Sequence, residues 1–263
     1  MDKTLIIANW KMNFDTQQAS LYLHRLSKEV AVHRNIEVVI APSLLALQPL
    51  SLEIDHRKFK LAAQNAFQKD QGAYTGEVSF AMLNGIAKYC IIGHSERRIY
   101  FNEDLETVAA KVASAIRNNI IPILCIGENK TERVARETKK VIHDQLVTAL
   151  VGLTSEEVAR MVIAYDPVWS ISTFGGEIAQ PNEIQKDIDY IIFQLSELYG
   201  SVVAHQVQII YGGSVNSDSV TSYLSLDGCH GVLVGGASLN HLEFAKIINK
   251  AYTLRDNSGK VNV

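Results

Sequence analysis

The chain has 263 residues, a formal charge of −3 at neutral pH, 47% hydrophobic residues and 20% charged ones, the balance of a globular protein with a large core. Such a charge gives no field to hold nucleic acid or an anionic membrane, so any anion site is local. No apolar run reaches the roughly 18 residues of a membrane span and no basic, apolar leader opens the chain, so a cytoplasmic protein with neither nucleic-acid nor membrane partners is expected.

Short, continuously apolar runs alternate with segments of helical period from one end to the other. In chain order the pattern predicts a strand over 4–8, a helix over 16–30, strands over 37–41, 60–63 and 89–92, and a helix over 104–117. A strand over 121–126 and a helix over 132–150 follow, and Thr154-Ser155-Glu156-Glu157 has the spacing of a capping box for a short extra helix. Then come a strand over 161–165, a helix over 182–198, strands over 207–211 and 232–234, and a helix over 242–252. Strands that are apolar throughout, not alternating, suit a parallel sheet covered on both faces. Eight consecutive βα units without a Pro/Gly/Ser-rich linker point to one α/β domain over 1–254, a single closed (β/α)8 barrel, with an open doubly wound sheet as the alternative. Residues 255–263 read as a loose polar tail. The three cysteines, Cys90, Cys125 and Cys229, adjoin apolar runs with no C-x-x-C or C-x-x-H spacing and read as buried thiols.

In a parallel barrel the loops after the strands share one face, so the polar residues that follow each apolar run are the candidates for chemistry. The first run ends in Asn9-Trp10-Lys11, an amide and a cation. The fourth ends in Gly93-His94-Ser95-Glu96-Arg97-Arg98, where Gly93 permits a sharp exit and His94 points over the mouth. The sixth ends at Asp166, where Pro167 stops pairing and a run of small and polar residues with Gly175 and Gly176 continues to Pro181, as a mobile lid would. The seventh and eighth end in Gly212-Gly213-Ser214 and Gly235-Gly236-Ala237-Ser238, glycine pairs that expose N–H groups where barrels build phosphate sites. Each feature alone has an ordinary reading: a solvated lysine, a structural histidine, an acidic strand cap, a turn. Convergence on one mouth is what makes them a site.

A carboxylate, an imidazole, an ammonium and an anion nest together suit proton abstraction beside a carbonyl. The carboxylate takes a proton from carbon, the imidazole and ammonium polarise the oxygen where charge develops, and the phosphate end supplies binding energy for lid closure. Neither a metal nor a cofactor is expected, since the chain has no H-E-x-x-H, G-x-G-x-x-G or G-x-x-x-x-G-K-[ST] pattern.

Asn9-Trp10-Lys11-Met12-Asn13, Gln64-Asn65, Gly72-Ala73-Tyr74-Thr75-Gly76-Glu77-Val78-Ser79, Gly93-His94-Ser95-Glu96-Arg97-Arg98, Cys125-Ile126-Gly127-Glu128, Tyr211-Gly212-Gly213-Ser214 and Val234-Gly235-Gly236-Ala237-Ser238-Leu239 follow one another in family order. On these motifs the chain resembles the triosephosphate isomerase family over nearly its full length. The resemblance implies interconversion of dihydroxyacetone phosphate and glyceraldehyde 3-phosphate through an enediol. It makes Asp166 the base, His94 a neutral electrophile, Lys11 the stabiliser of substrate charge, Asn9 an orienting group and Glu96 the holder of Lys11. Ser214, Gly235 and Gly236, with a lid N–H near Ser172, would hold the phosphate. A homodimer through the loop over 64–79, with Tyr74 and Thr75 near its tip, is implied in the same way.

Two departures stand out. The family reads Tyr-Glu-Pro-Val-Trp where this chain reads Tyr165-Asp166-Pro167-Val168-Trp169, which leaves the base one methylene short. The lid between Trp169 and Pro181 is two residues longer than the family pattern. They admit two alternatives: an isomerase of another small phosphorylated ketose, such as a four-carbon one, or a catalytically weak phosphosugar-binding homologue. Against the second stand Asn9, Lys11, His94 and Glu96, which a scaffold has no chemical reason to keep.

Overall fold

A computed structural model of the protein describes residues 3–174, 176 and 178–259. The strands β1 (Thr4–Asn9), β2 (Ile36–Ala41), β3 (Phe59–Ala63), β4 (Tyr89–Ile92), β5 (Ile121–Ile126), β6 (Val162–Tyr165), β7 (Gln208–Tyr211) and β8 (Cys229–Val234) pair in parallel in sequence order, and β8 returns to β1. The closing register sets Leu5 beside Gly231 and Ala8 beside Val234. This is the expected closed (β/α)8 barrel; the open sheet is not found.

The apolar run of each strand serves two cores. Leu5, Ile7, Val39, Ile91, Ile123 and Leu233 fill the barrel interior, while their alternating neighbours Ile6, Val38, Ile40, Ile92 and Leu124 face the helices. Burying each such side chain contributes roughly 1.5–3 kcal/mol, so polar side chains within the strands are confined to the first two residues, as with Thr4, Glu37, Lys60, Gln208 and His230, and to the end, as with Asn9. That is why the polar residues crowd the barrel mouth. Cys90, Cys125 and Cys229 are all unpaired and buried.

The helices are α1 (Thr16–Glu29), α2 (Leu44–Glu53), α3 (Phe80–Leu83), α4 (Ser95–Tyr100), α5 (Leu105–Arg117), α6 (Lys130–Val134), α7 (Thr138–Leu150), α8 (Ser155–Ala159), α9 (Pro181–Tyr199), α10 (Ser201–Ala204), α11 (Val220–Leu224) and α12 (His241–Gly259). The Thr154 capping box forms as its spacing predicts, with Thr154 and Glu157 exchanging side-chain and backbone bonds. The helix expected over 132–150 is two helices. Asn129 and Glu132 form a capping box that starts α6 early, and the chain breaks at Arg136, whose φ of 61° is left-handed. Helix α2 lacks a signal in the sequence because Pro49 stands inside it and apolar residues surround it. The segment from Arg255, expected to be loose, continues α12 to Gly259. The Arg255 guanidinium anchors it, donating to Thr4 Oγ1 at 2.9 Å and to the carbonyls of Leu224 and Cys229 at 3.2 Å. Residues 260–263 lie outside the described residues.

Candidate active site

The ladder carries Asp166 one residue past β6. Its N–H donates to the Ile126 carbonyl at 2.7 Å, and beyond it Gly212 N–H donates to the Tyr165 carbonyl at 2.9 Å. The side chain is buried, with 2% of the residue exposed, and among the described residues no N–H or O–H donor reaches either carboxylate oxygen. Burial pushes its pKa up to about 7, although the neighbouring Cys125 thiol and the Lys11 charge pull the other way. Gly212 makes the placement possible: a Cβ there would stand 1.5 Å from Asp166 Oδ1. His94 faces the carboxylate, its Nε2 4.0 Å from Asp166 Oδ2.

His94 caps α4, and its Nδ1 accepts the Glu96 backbone N–H at 3.3 Å. A ring nitrogen that accepts leaves the proton on the other, so Nε2–H is aimed at the mouth. Burial lowers the His94 pKa to about 4; the Glu96 carboxylate opposes that shift and Lys11 adds to it. The ring is neutral at physiological pH.

Lys11 has a left-handed φ of 54°, a conformation uncommon for a residue with a side chain. It is held by two amides: Asn9 Oδ1 accepts the Lys11 N–H at 3.1 Å, and Gln64 Nε2 donates to its carbonyl at 2.8 Å. The Lys11 ammonium bonds Glu96 Oε1 and also donates to Thr173 Oγ1 at 3.1 Å, while the Thr173 hydroxyl donates to Glu96 Oε1 at 3.1 Å. Although burial opposes it, bonding to Lys11 and the nearby charge hold the Glu96 carboxyl below its usual range. Asn9, Lys11, His94, Glu96 and Asp166 therefore come together as expected from their strand ends.

Beside them a cleft of about 170 Å3 is lined by Asn9, Lys11 and His94 together with Gly212, Gly213, Ser214, Gly235 and Gly236. Ile171 and Ile178 of the lid complete its wall. A Cβ on Gly235 would point at Lys11, 3.7 Å from its Cε, whereas one on Gly236 would meet nothing within 4 Å. Ser214 Oγ donates to the Ser170 carbonyl at 2.7 Å, tying this wall to the lid. Ser172 opens a short 3-10 turn, Ser172–Phe174. Its side chain, and Gly175 beyond it, lie outside what the structure describes.

Several residues escaped the sequence reading. Glu128, fully buried, accepts Trp169 Nε1 at 2.9 Å, the Tyr165 hydroxyl at 3.1 Å and Arg133 Nη1 at 3.3 Å, which fixes the start of the lid. Thr173 reaches Lys11 and Glu96, and Phe174 stacks on Tyr100 of α4 with ring centroids 5.8 Å apart. Only Glu128 left a trace beforehand, as an acidic residue just past an apolar run.

A buried carboxylate that no N–H or O–H donor of the described residues reaches, set against a neutral imidazole at the carboxyl ends of parallel strands, is equipment for moving protons, and it places the chain among the barrel enzymes of acid–base chemistry. A family model described as Triosephosphate isomerase matches residues 4–251. The triosephosphate isomerase of Alkaliphilus oremlandii is 42% identical over 251 residues, covering 95% of this chain and 100% of that one. That of Dehalococcoides mccartyi (strain ATCC BAA-2100 / JCM 16839 / KCTC 5957 / BAV1) is 38% identical over 256 residues, 97% of this chain and 99% of the relative. That of Clostridium botulinum (strain Okra / Type B1) is 40% identical over 250 residues, 95% and 100% of the two chains. The chain belongs to the triosephosphate isomerase family.

Proposed function

We propose that the protein interconverts dihydroxyacetone phosphate and glyceraldehyde 3-phosphate by proton transfer through an enediol. The observation that carries this reading is the buried Asp166 carboxylate, which no N–H or O–H donor of the described residues reaches, facing His94 Nε2 at 4.0 Å. A base poised near neutral pH accepts a proton from carbon and returns it to the neighbouring carbon. The neutral His94 donates its Nε2 hydrogen bond to the oxygen on which charge develops, and Lys11, fixed by Glu96, stabilises that charge. Asn9 orients the oxygens from the floor of the cleft. The phosphate sits against Ser214, Gly235 and Gly236, with a lid N–H near Ser172, where backbone donors meet no bulky side chain. Purified protein given glyceraldehyde 3-phosphate is expected to form dihydroxyacetone phosphate in a coupled assay, and Asp166→Asn to lose that activity. Absence of turnover in the wild type overturns the reading.

The working form is a homodimer through the loop over 64–79. Supporting this, Met12 is 97% exposed and Tyr74 43%, and a hollow lined by Lys11, Met12, Gln64, His94, Glu96 and Phe101 lies open beside the site. Three unpaired thiols suit a reducing compartment, and the protein is assigned to the cytoplasm. Among the described residues no helix is long and apolar enough to cross a membrane.

A further inference from the structure

The lid leaves the barrel at Ser170 and comes back at Ala179, and both of these feet are fully buried. At the first foot the hydroxyls of Ser170 and Tyr211 lie 3.1 Å apart. At the second the Tyr223 hydroxyl donates to the Ala179 carbonyl at 3.0 Å. The two tyrosines are themselves stacked, with ring centroids 4.1 Å apart and planes 27° from parallel. A continuous bridge thus runs from one foot of the lid through β7 and α11 to the other.

The bridge also touches the phosphate wall. A Cβ on Gly213 would stand 2.1 Å from the Tyr211 hydroxyl and 2.9 Å from Ser170 Oγ, so the hydroxyl pair presses directly against the turn that lines the cleft. From that turn Ser214 Oγ reaches the Ser170 carbonyl at 2.7 Å. Ser170 lies four residues beyond Asp166, with the Pro167 to Ser170 turn, closed by a 2.8 Å backbone bond, between them. Any shift of the lid's feet is passed to the base and to the phosphate wall together.

We propose that Tyr223 is a positioning residue for the isomerisation: its hydroxyl fixes the returning foot of the lid at Ala179, and its ring holds Tyr211 against the departing foot at Ser170. Tyr223 touches no substrate and acts through Tyr211, Ser170 and Ala179. The inference rests on the isomerase reading above for its kinetic consequence, but not for its mechanical one. A tyrosine in a core also packs, so the hydroxyl has to be separated from the ring. Tyr223→Phe keeps the stack and removes the hydroxyl, which donates to Ala179 and also interacts with the Tyr211 side chain.

The test measures kcat, KM, Tm and lid amide exchange for wild type, Tyr223→Phe, Ser170→Ala and the double variant. Small misplacements of reacting groups cost up to about 100-fold in rate. Tyr223→Phe is expected to lower kcat about 10-fold with KM within about 3-fold, and to speed amide exchange in the lid while the barrel strands exchange as before. Because both hydroxyls act on one bridge, the double variant is expected to be little worse than the poorer single one. Unchanged kcat with a lowered Tm in Tyr223→Phe would reduce the residue to packing and overturn the proposal, as would strictly additive losses. If the wild type proves inactive on glyceraldehyde 3-phosphate, the isomerase reading fails on its own, and lid exchange still decides the bridge: faster exchange in Tyr223→Phe upholds it and unchanged exchange removes it.

Discussion

In the proposed mechanism Asp166 carries the chemistry because it is uncomfortable. A buried carboxylate that no N–H or O–H donor of the described residues reaches is costly to ionise, which is why burial drives its pKa to about 7. Two outcomes follow from that value. The free enzyme needs the ionised base, so kcat/KM is expected to fall tenfold per pH unit below about pH 7, a limb that a pH profile checks directly. Stability responds in the opposite sense. With the native pKa above the unfolded value, the folded state holds the proton more tightly, so this contribution is fully present below the unfolded pKa near 3.8 and is lost as pH rises through 7. Asp166→Asn should therefore melt above the wild type at pH 8, with the gap shrinking toward pH 4, as thermal denaturation at both values would show. The place of this residue was legible from one acidic side chain at the end of an apolar run. Its isolation was not, because that depends on Gly212 and His94 arriving from β7 and β4.

At the scale of elements, the sequence shows strands and strand ends far better than it shows what crosses between them. Apolar runs of four to six residues locate each strand to within about three residues, because burial on both faces leaves little choice. The capping box located α8, since Thr154 and Glu157 bond backbone groups only a few positions away. The lid is the contrary case. Thr173 on Lys11 and Glu96, and Phe174 on Tyr100, are pairings of residues 70 or more positions apart, and nothing local to the lid announces them. The two-residue extension was visible, and its docking was not. The glycine pair of β8 offers a test at this scale. A Cβ on Gly235 points toward Lys11 through open cleft, so Gly235→Val is expected to raise KM at least about 10-fold through a blocked phosphate site while Tm moves little. An unchanged KM in the folded variant would displace the phosphate from this turn.

For the whole molecule, the closed barrel gathers residues from the first, fourth and sixth strands at one rim, and family membership fixes what that rim is for. The exposed apolar residues around it complete the argument for assembly. Met12, Tyr74, Met82 and Phe101 are each at least 43% exposed and lie on loops or short helices, although Tyr74 also packs on Phe67 and Phe101 on the Arg97 guanidinium. Sedimentation is expected to show a dimer at micromolar concentration, and Tyr74→Asp to weaken it with a parallel loss of activity; a fully active monomer would refute the assembly. The sequence displayed the loop and its aromatic tip, but the hollow beside Lys11 that would receive it appears only in three dimensions.

The central claim is that Asp166 is the base and that it works from one methylene too far back. In support of a recessed base, Asp166 is 2% exposed, while the cleft lining includes Asn9, Lys11, His94 and Gly212. A retreat of about 1 Å costs about 100-fold in rate, or roughly 2.7 kcal/mol of barrier. The most direct measurement is kcat and KM on glyceraldehyde 3-phosphate for wild type, Asp166→Glu and Asp166→Ala. Asp166→Glu is expected to raise kcat about 10- to 100-fold with KM within a few-fold, and Asp166→Ala to lose nearly all turnover. A drop in kcat for Asp166→Glu would contradict the recessed base, and equal activity in all three would remove Asp166 from the chemistry altogether.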